Sequence, residues 1–195
     1  MVKRIVIAVT GATGAVYGYR MLLATKQIKD LETHAVISHG AGKTLKLETG
    51  LDVSDLDGLA TFTYEEYDFA AKISSGSFVT SGMVVAPCSM KTVSAIATGF
   101  EHNLISRAAM VTLKERRPLI LLARETPLNL IHLKNMVQIT EAGGIVMPPL
   151  PPLYFGASDL TQLIDLTVGR VLNMLGIRTA LMREWGSDME SASED

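Results

Sequence analysis

Three uninterrupted apolar runs, "RIVIAVT" at 4–10, "MVVAP" at 83–87 and "PLILLA" at 118–123, constrain this chain more than any other feature. They are short, contain β-branched residues and do not alternate with polar ones. A strand covered on both faces reads this way, and such strands belong to parallel sheets sandwiched between helices. Helical spacing follows in "YRMLLATKQIK", "GAGKTLKLET", "MKTVSAIATG", "NLISRAAMVTLKE", "NLIHLKNMVQITEAG" and "LTQLIDLTVGRVLNML". "THAVIS" and "GIVMP" supply two further strands, whereas residues 51–80 read as polar and irregular and "PPLPPLY" as a rigid proline loop. Strands alternating with helices imply right-handed crossovers. The expectation is a single-domain α/β fold: a doubly wound, mostly parallel sheet with helices on both faces, over residues 1–185. A polar, acidic tail, 186–195, follows it.

Composition narrows the function classes. A chain of 195 residues, 48% apolar and 19% charged, can bury a real core. A formal charge of −2 exerts no general pull on nucleic acid or anionic membrane, so any anion site must be local. The single cysteine, Cys88, cannot form an internal disulfide, which fits a reducing cytoplasm. The N-terminal apolar run is too short for a signal peptide, and no stretch has the ~18 apolar residues of a membrane span. A mean hydropathy of +0.27 is high for a monomer and points to burial between subunits.

In a doubly wound sheet, ligands bind outside the carboxyl ends of the strands. Four such ends carry unusual residues: "TGATG", "SHGAG", "PCSMK" and "ARET". In the first, Gly11 and Gly14 permit close backbone approach, the following helix start offers free amides to a phosphate, and Thr13 adds a hydroxyl. The glycine spacing is not GxGxxG, so a mononucleotide suits it better than a dinucleotide. "PCSMKT" admits three readings: Cys88 as nucleophile, Cys88 as a small buried hydrophobe, or Ser89 with the Met90 and Lys91 amides as an anion or flavin cradle. His34, His39, His102 and His132 show no metal-ligand spacing, so no metal site is expected. Arg107 and Lys114 share a helix face. Arg124 and Glu125 directly follow a buried strand, where Glu125 either pairs with an arginine or acts as a base. Arg170 lies on the last helix, and Glu48 reads as a helix-surface carboxylate.

Taken together, "TGATGAVYG", "LETG", "ISSGSF", "PCSMKT", "SRAAMVTLKERRPLILLARETPLNLIHLKNM" and "PPLPPLY" resemble the UbiX-like flavin prenyltransferases, a family also known by the name phenolic-acid decarboxylase, from about Ile5 to Trp185. The resemblance implies a Rossmann/flavodoxin-like flavoprotein. Its activity would be a metal-independent transfer of a dimethylallyl group from dimethylallyl monophosphate to N5 and C6 of reduced FMN. The product, prenylated FMN, would serve a UbiD-like decarboxylase. FMN contacts then fall on Gly11, Ala12, Thr13, Ser38, Cys88, Ser89, Met90, Lys91 and Arg124, with Cys88 outside covalent chemistry. Prenyl-phosphate contacts fall on Ser89, Arg107, Lys114, Arg124, Tyr154 and Arg170, some of them from neighbouring subunits of a homododecamer. Glu48 and Glu125 match acidic residues linked to proton transfer, Ser89 joins them, and Trp185 matches an aromatic near the site. The chain departs from the family in Thr13 for Ser, in His39, and in "LYFGA" at 153–157, where a proline usually stands. Two competing expectations share the fold: an FMN-dependent cysteine decarboxylase and a non-catalytic flavin-carrier subunit.

Overall fold

A computed structural model describes residues 2–182 of the chain, so Trp185 and the acidic tail lie outside the described residues. Six parallel strands form one sheet in the order β3-β2-β1-β4-β5-β6. They are β1 (Lys3–Val9), β2 (Leu31–Ile37), β3 (Phe62–Tyr64), β4 (Met83–Cys88), β5 (Leu119–Ala123) and β6 (Ile145–Val146). The helices are α1 (Ala15–Lys26), α2 (His39–Thr49), α3 (Met90–Ala97), α4 (Leu104–Lys114), α5 (Leu130–Glu141) and α6 (Leu160–Met174).

The period of two along β1 explains both layers. Ile5, Ile7 and Val9 point to a core shared with Leu22 of α1, Leu45 of α2 and Val168, Val171 and Leu172 of α6. Val6 and Ala8 point the other way, to a core shared with Val93 of α3, Ile105 and Ala109 of α4 and Ile139 of α5. Every residue of β4 and β5 is buried, which is why those segments read as continuous apolar runs. Asp165 of α6 holds Arg20 of α1 through two hydrogen bonds, at 2.8 and 2.5 Å, and so fixes the final helix to the first.

Three sequence expectations need correction. Residues 51–80 contain an edge strand, β3, whose residues are half-buried or exposed; without a buried face it leaves no apolar run to read. Helix α1 begins at Ala15, four residues ahead of the apolar pattern, because its cap comes from elsewhere in the chain. The "GIVMP" strand shrinks to Ile145–Val146, since only those two residues pair with β5.

Candidate active site

The strand order reverses between β1 and β4, and the crevice at such a switch point is where doubly wound sheets bind ligands. Thr10 closes the floor of that crevice. Its hydroxyl donates to the Pro87 carbonyl at 2.8 Å and accepts from the Ser89 amide at 2.8 Å, joining the ends of the two strands. Above it lies a cavity of about 300 Å³ whose walls include Gly11, Ser38, Gly40, Ser89, Lys91 and His102. A larger, more open hollow of about 690 Å³ runs along the outside of α2 and shares Ser38 and His39 with it.

Two helices start at this cavity. Ser38 caps α2 by accepting the Ala41 amide at 3.1 Å, and Ser89 caps α3 by accepting the Thr92 amide at 3.4 Å. Helix starts carry partial positive charge, and Lys91 in the first turn of α3 adds a full one. Among the described residues Lys91, Arg124 and Arg170 stand in no ion pair. Gly11 suits this position, since a β-carbon on it would stand 3.0 Å from the Gly40 backbone and press the two segments apart by a few tenths of an ångström. The loop after β1 therefore packs directly on the first turn of α2. Backbone donors, hydroxyls and a cation around a small hollow fit the phosphate end of a mononucleotide.

Glu48 is exposed on the surface of α2 as expected, yet it does not stand free there. Its carboxylate accepts the Gly14 amide at 2.8 and 3.1 Å and the Ala15 amide at 2.9 Å, so it caps α1 from α2. Those first amides of α1 are consequently not free for a phosphate. Gly14 turns the chain at φ +103°, a conformation that suits glycine, and has no side chain with which to cap the helix itself. Sequence spacing hides this contact because its partners are 33 and 34 residues apart.

Cys88 is fully buried, and burial pushes its thiol well above the usual range. A thiol so placed is a small hydrophobe and not a nucleophile. Its carbonyl accepts the Arg124 amide at 3.1 Å, and that hydrogen bond carries the end of β5 to the same edge. Glu125 is exposed beside it, accepts the Thr126 amide at 3.0 Å and pairs with no arginine among the described residues.

The remaining cations divide in two. Arg170 lines a separate cavity of about 490 Å³ together with Tyr154, Phe155, Met147 and Leu166. Arg107 instead donates to Glu101 at 2.7 Å and to the Ser74 carbonyl at 2.9 Å, and Lys114 pairs with Glu115 at 2.5 Å. Neither lines either cavity of the same chain. Among the described residues no group of His, Cys, Asp and Glu side chains is placed to hold a metal ion.

Sequence reasoning missed Glu66, Thr10 and Asn103. Glu66 is buried. It accepts the His39 amide at 2.8 Å, the His39 Nδ1 at 2.9 Å and the Asn103 side-chain amide at 2.9 Å, joining the starts of α2 and α4 beside the cavity. Burial pushes its carboxyl up, but these donors together hold it below the ordinary carboxylate value. A signal existed for Asn103: "NLIS" opens α4 as a capping box, with Asn103 and Ser106 satisfying each other's amides.

Fold and crevice thus define an α/β mononucleotide-binding protein of the doubly wound class. The family model described as Flavoprotein matches residues 1–172. A probable UbiX-like flavin prenyltransferase from Bacillus subtilis (strain 168) is 49% identical over 93% of this chain and 89% of its own. The crystal structure of AnUbiX in complex with FMN and dimethylallyl pyrophosphate superposes with a TM-score of 0.91 at 48% identity, covering 95% of this chain and 98% of that one. A dodecameric FMN-dependent UbiX-like decarboxylase from Escherichia coli O157:H7 gives a TM-score of 0.90 at 42% identity, covering 93% and 98%. The cysteine decarboxylase TvaF, at 16% identity and a TM-score of 0.61, shares the fold alone. This chain belongs to the flavoprotein family and, within it, to the UbiX-like flavin prenyltransferases.

Proposed function

We propose that this protein joins a dimethylallyl group from dimethylallyl monophosphate to N5 and C6 of reduced FMN, giving prenylated FMN. The observation that carries this reading is one chain holding two hollows, a polar one ringed by helix starts and a largely apolar one with a single cation. One lies at the switch point of the sheet, where α2 and α3 begin, and the other holds Tyr154 and Arg170. The similarity to a protein captured with both FMN and a prenyl diphosphate supports it. Reduced flavin supplies the nucleophilic atoms, so the protein need not provide one, in keeping with the buried Cys88 thiol.

The chain's own residues do the rest. Gly11, Ala12, Thr13, Ser38, Ser89, Met90 and Lys91 hold the flavin. Fixed cations stabilise the phosphate as it leaves, by electrostatic preorganisation and without a metal ion. Arg170 and Arg124 act from one chain, and Arg107 and Lys114 reach a site only from a neighbouring copy, as they line neither cavity of their own. Glu125, exposed at the end of β5, takes a proton during ring closure. Glu48 holds the loop that cradles the flavin. Trp185, outside the described residues, contributes an aromatic face. The assembly is a homododecamer in the cytoplasm, and a UbiD-like decarboxylase receives the product; the dodecameric relative supports the first point. Among the described residues, no helix is long and apolar enough to cross a membrane.

Transfer of the product tests this reading against a flavin carrier. Flavin extracted after incubation with reduced FMN and prenyl phosphate should activate an apo UbiD-like decarboxylase, and flavin incubated without the prenyl phosphate should not. Equal activation by both samples would reduce the protein to a carrier. Dimethylallyl pyrophosphate, run in parallel, tells which phosphate is used.

A further inference from the structure

His102 forms part of the wall of the switch-point cavity, and neither nitrogen of its ring has a hydrogen-bond partner although both are closed off from solvent. Buried polar atoms in folded proteins nearly always find a partner, so two orphans in one ring call for a ligand. The ring is held in place. It stacks on Phe100 at 5.5 Å and 11°, its amide donates to the Phe100 carbonyl at 3.0 Å, and the next residue, Asn103, is tied to Glu66 at 2.9 Å. Glu66 does not compete for the imidazole, because its two oxygens already accept from Asn103 and His39. The starts of α2 and α3 and Lys91 also line the cavity and favour an anion, whereas the Glu66 carboxylate in the same wall opposes one, its charge offset by the His39 and Asn103 donors it already accepts.

We propose that His102 is a binding residue for the phosphate of FMN, donating a ring N–H to a phosphate oxygen, with Glu66 and Asn103 as its positioning residues. This inference rests on the flavin reading above. Riboflavin has the same ring system and ribityl chain but no phosphate, so it isolates the contact. Affinities for FMN and riboflavin are to be measured by flavin fluorescence quenching on the full chain, for wild type, His102→Phe and His102→Gln. A hydrogen bond to a charged group should be lost in His102→Phe, weakening FMN about ten- to a hundredfold while leaving riboflavin unchanged. His102→Gln keeps an N–H donor and should fall between. The ligand-free His102→Phe chain should be at least as heat-stable as wild type, since two orphaned nitrogens are gone. Wild type failing to bind FMN would sink the flavin reading itself. Wild type binding FMN while the FMN-to-riboflavin ratio stays unchanged in both variants would overturn only the role of His102. If His102→Phe does not fold, the ratio in His102→Gln decides alone.

Discussion

At the scale of single residues, two carboxylates divide the labour. Glu48 is a cap, holding the Gly14 and Ala15 amides from another helix. Glu48→Ala should cost about 1–2 kcal/mol in denaturant unfolding, as loss of a helix N-cap does, and should weaken FMN by loosening the loop after β1. Unchanged stability would mean that the cap contributes nothing. Glu125 is different: it caps no helix and is exposed, so Glu125→Gln should unfold normally. The same variant should bind FMN as wild type does, yet form prenylated flavin about 10²–10⁴ times more slowly, the usual loss on removing a general base. Single-turnover assays at the wild-type rate would leave Glu125 without a chemical role. The strand-end motifs around Ser38, Ser89 and Arg124 were legible in the sequence because each follows an apolar run directly. Glu66 and Glu48 were not, because their partners are joined only by the folded chain.

At the scale of elements, the edge of the sheet carries the acid-sensitive group. His34 of β2 is buried, stacks on Phe62 of β3 at 5.0 Å and faces the Tyr64 hydroxyl at 2.9 Å. Burial pushes its imidazole below its ordinary value of 6.5; Glu32 opposes that shift, while Arg4 and Lys72 reinforce it. The unfolded chain therefore takes up this proton at a higher pH than the folded one, and stability is lost as pH falls below about 6.5. The melting temperature of the ligand-free protein should drop between about pH 7 and about pH 5, and drop less in His34→Phe. Equal slopes would remove His34 from the account. Glu66, held low by its donors, acts in the same direction but in more acid solution, its contribution being lost as pH falls from the ordinary carboxylate value of 4.5 downward. Strands β1, β4 and β5 were legible because they are buried on both faces, whereas β3 is three residues long with Phe62 and Thr63 exposed, so its pairing and ring contacts with β2 leave no apolar run in the sequence.

At the scale of the whole molecule, two stretches of the chain leave large apolar side chains exposed. Leu130, Ile131 and Val137 of α5 are exposed at 64, 68 and 55%, and Leu150, Leu153 and Leu160 stand exposed in and after the proline loop. The proposed assembly would cover these side chains, in keeping with the high mean hydropathy. Ile131→Glu should break the assembly into smaller species in sedimentation. Because Arg107 and Lys114 lie away from both cavities of their own chain, it should also lower prenyl transfer more than FMN binding. A fully active monomer would separate assembly from function. The central claim is the chemistry itself, and mass spectrometry of the flavin tests it most directly. The purified chain is incubated anaerobically with reduced FMN, dimethylallyl monophosphate and a metal chelator. The account expects the flavin to gain one C5 unit, at a rate the chelator does not change. Unmodified flavin recovered from protein that demonstrably binds FMN would contradict it.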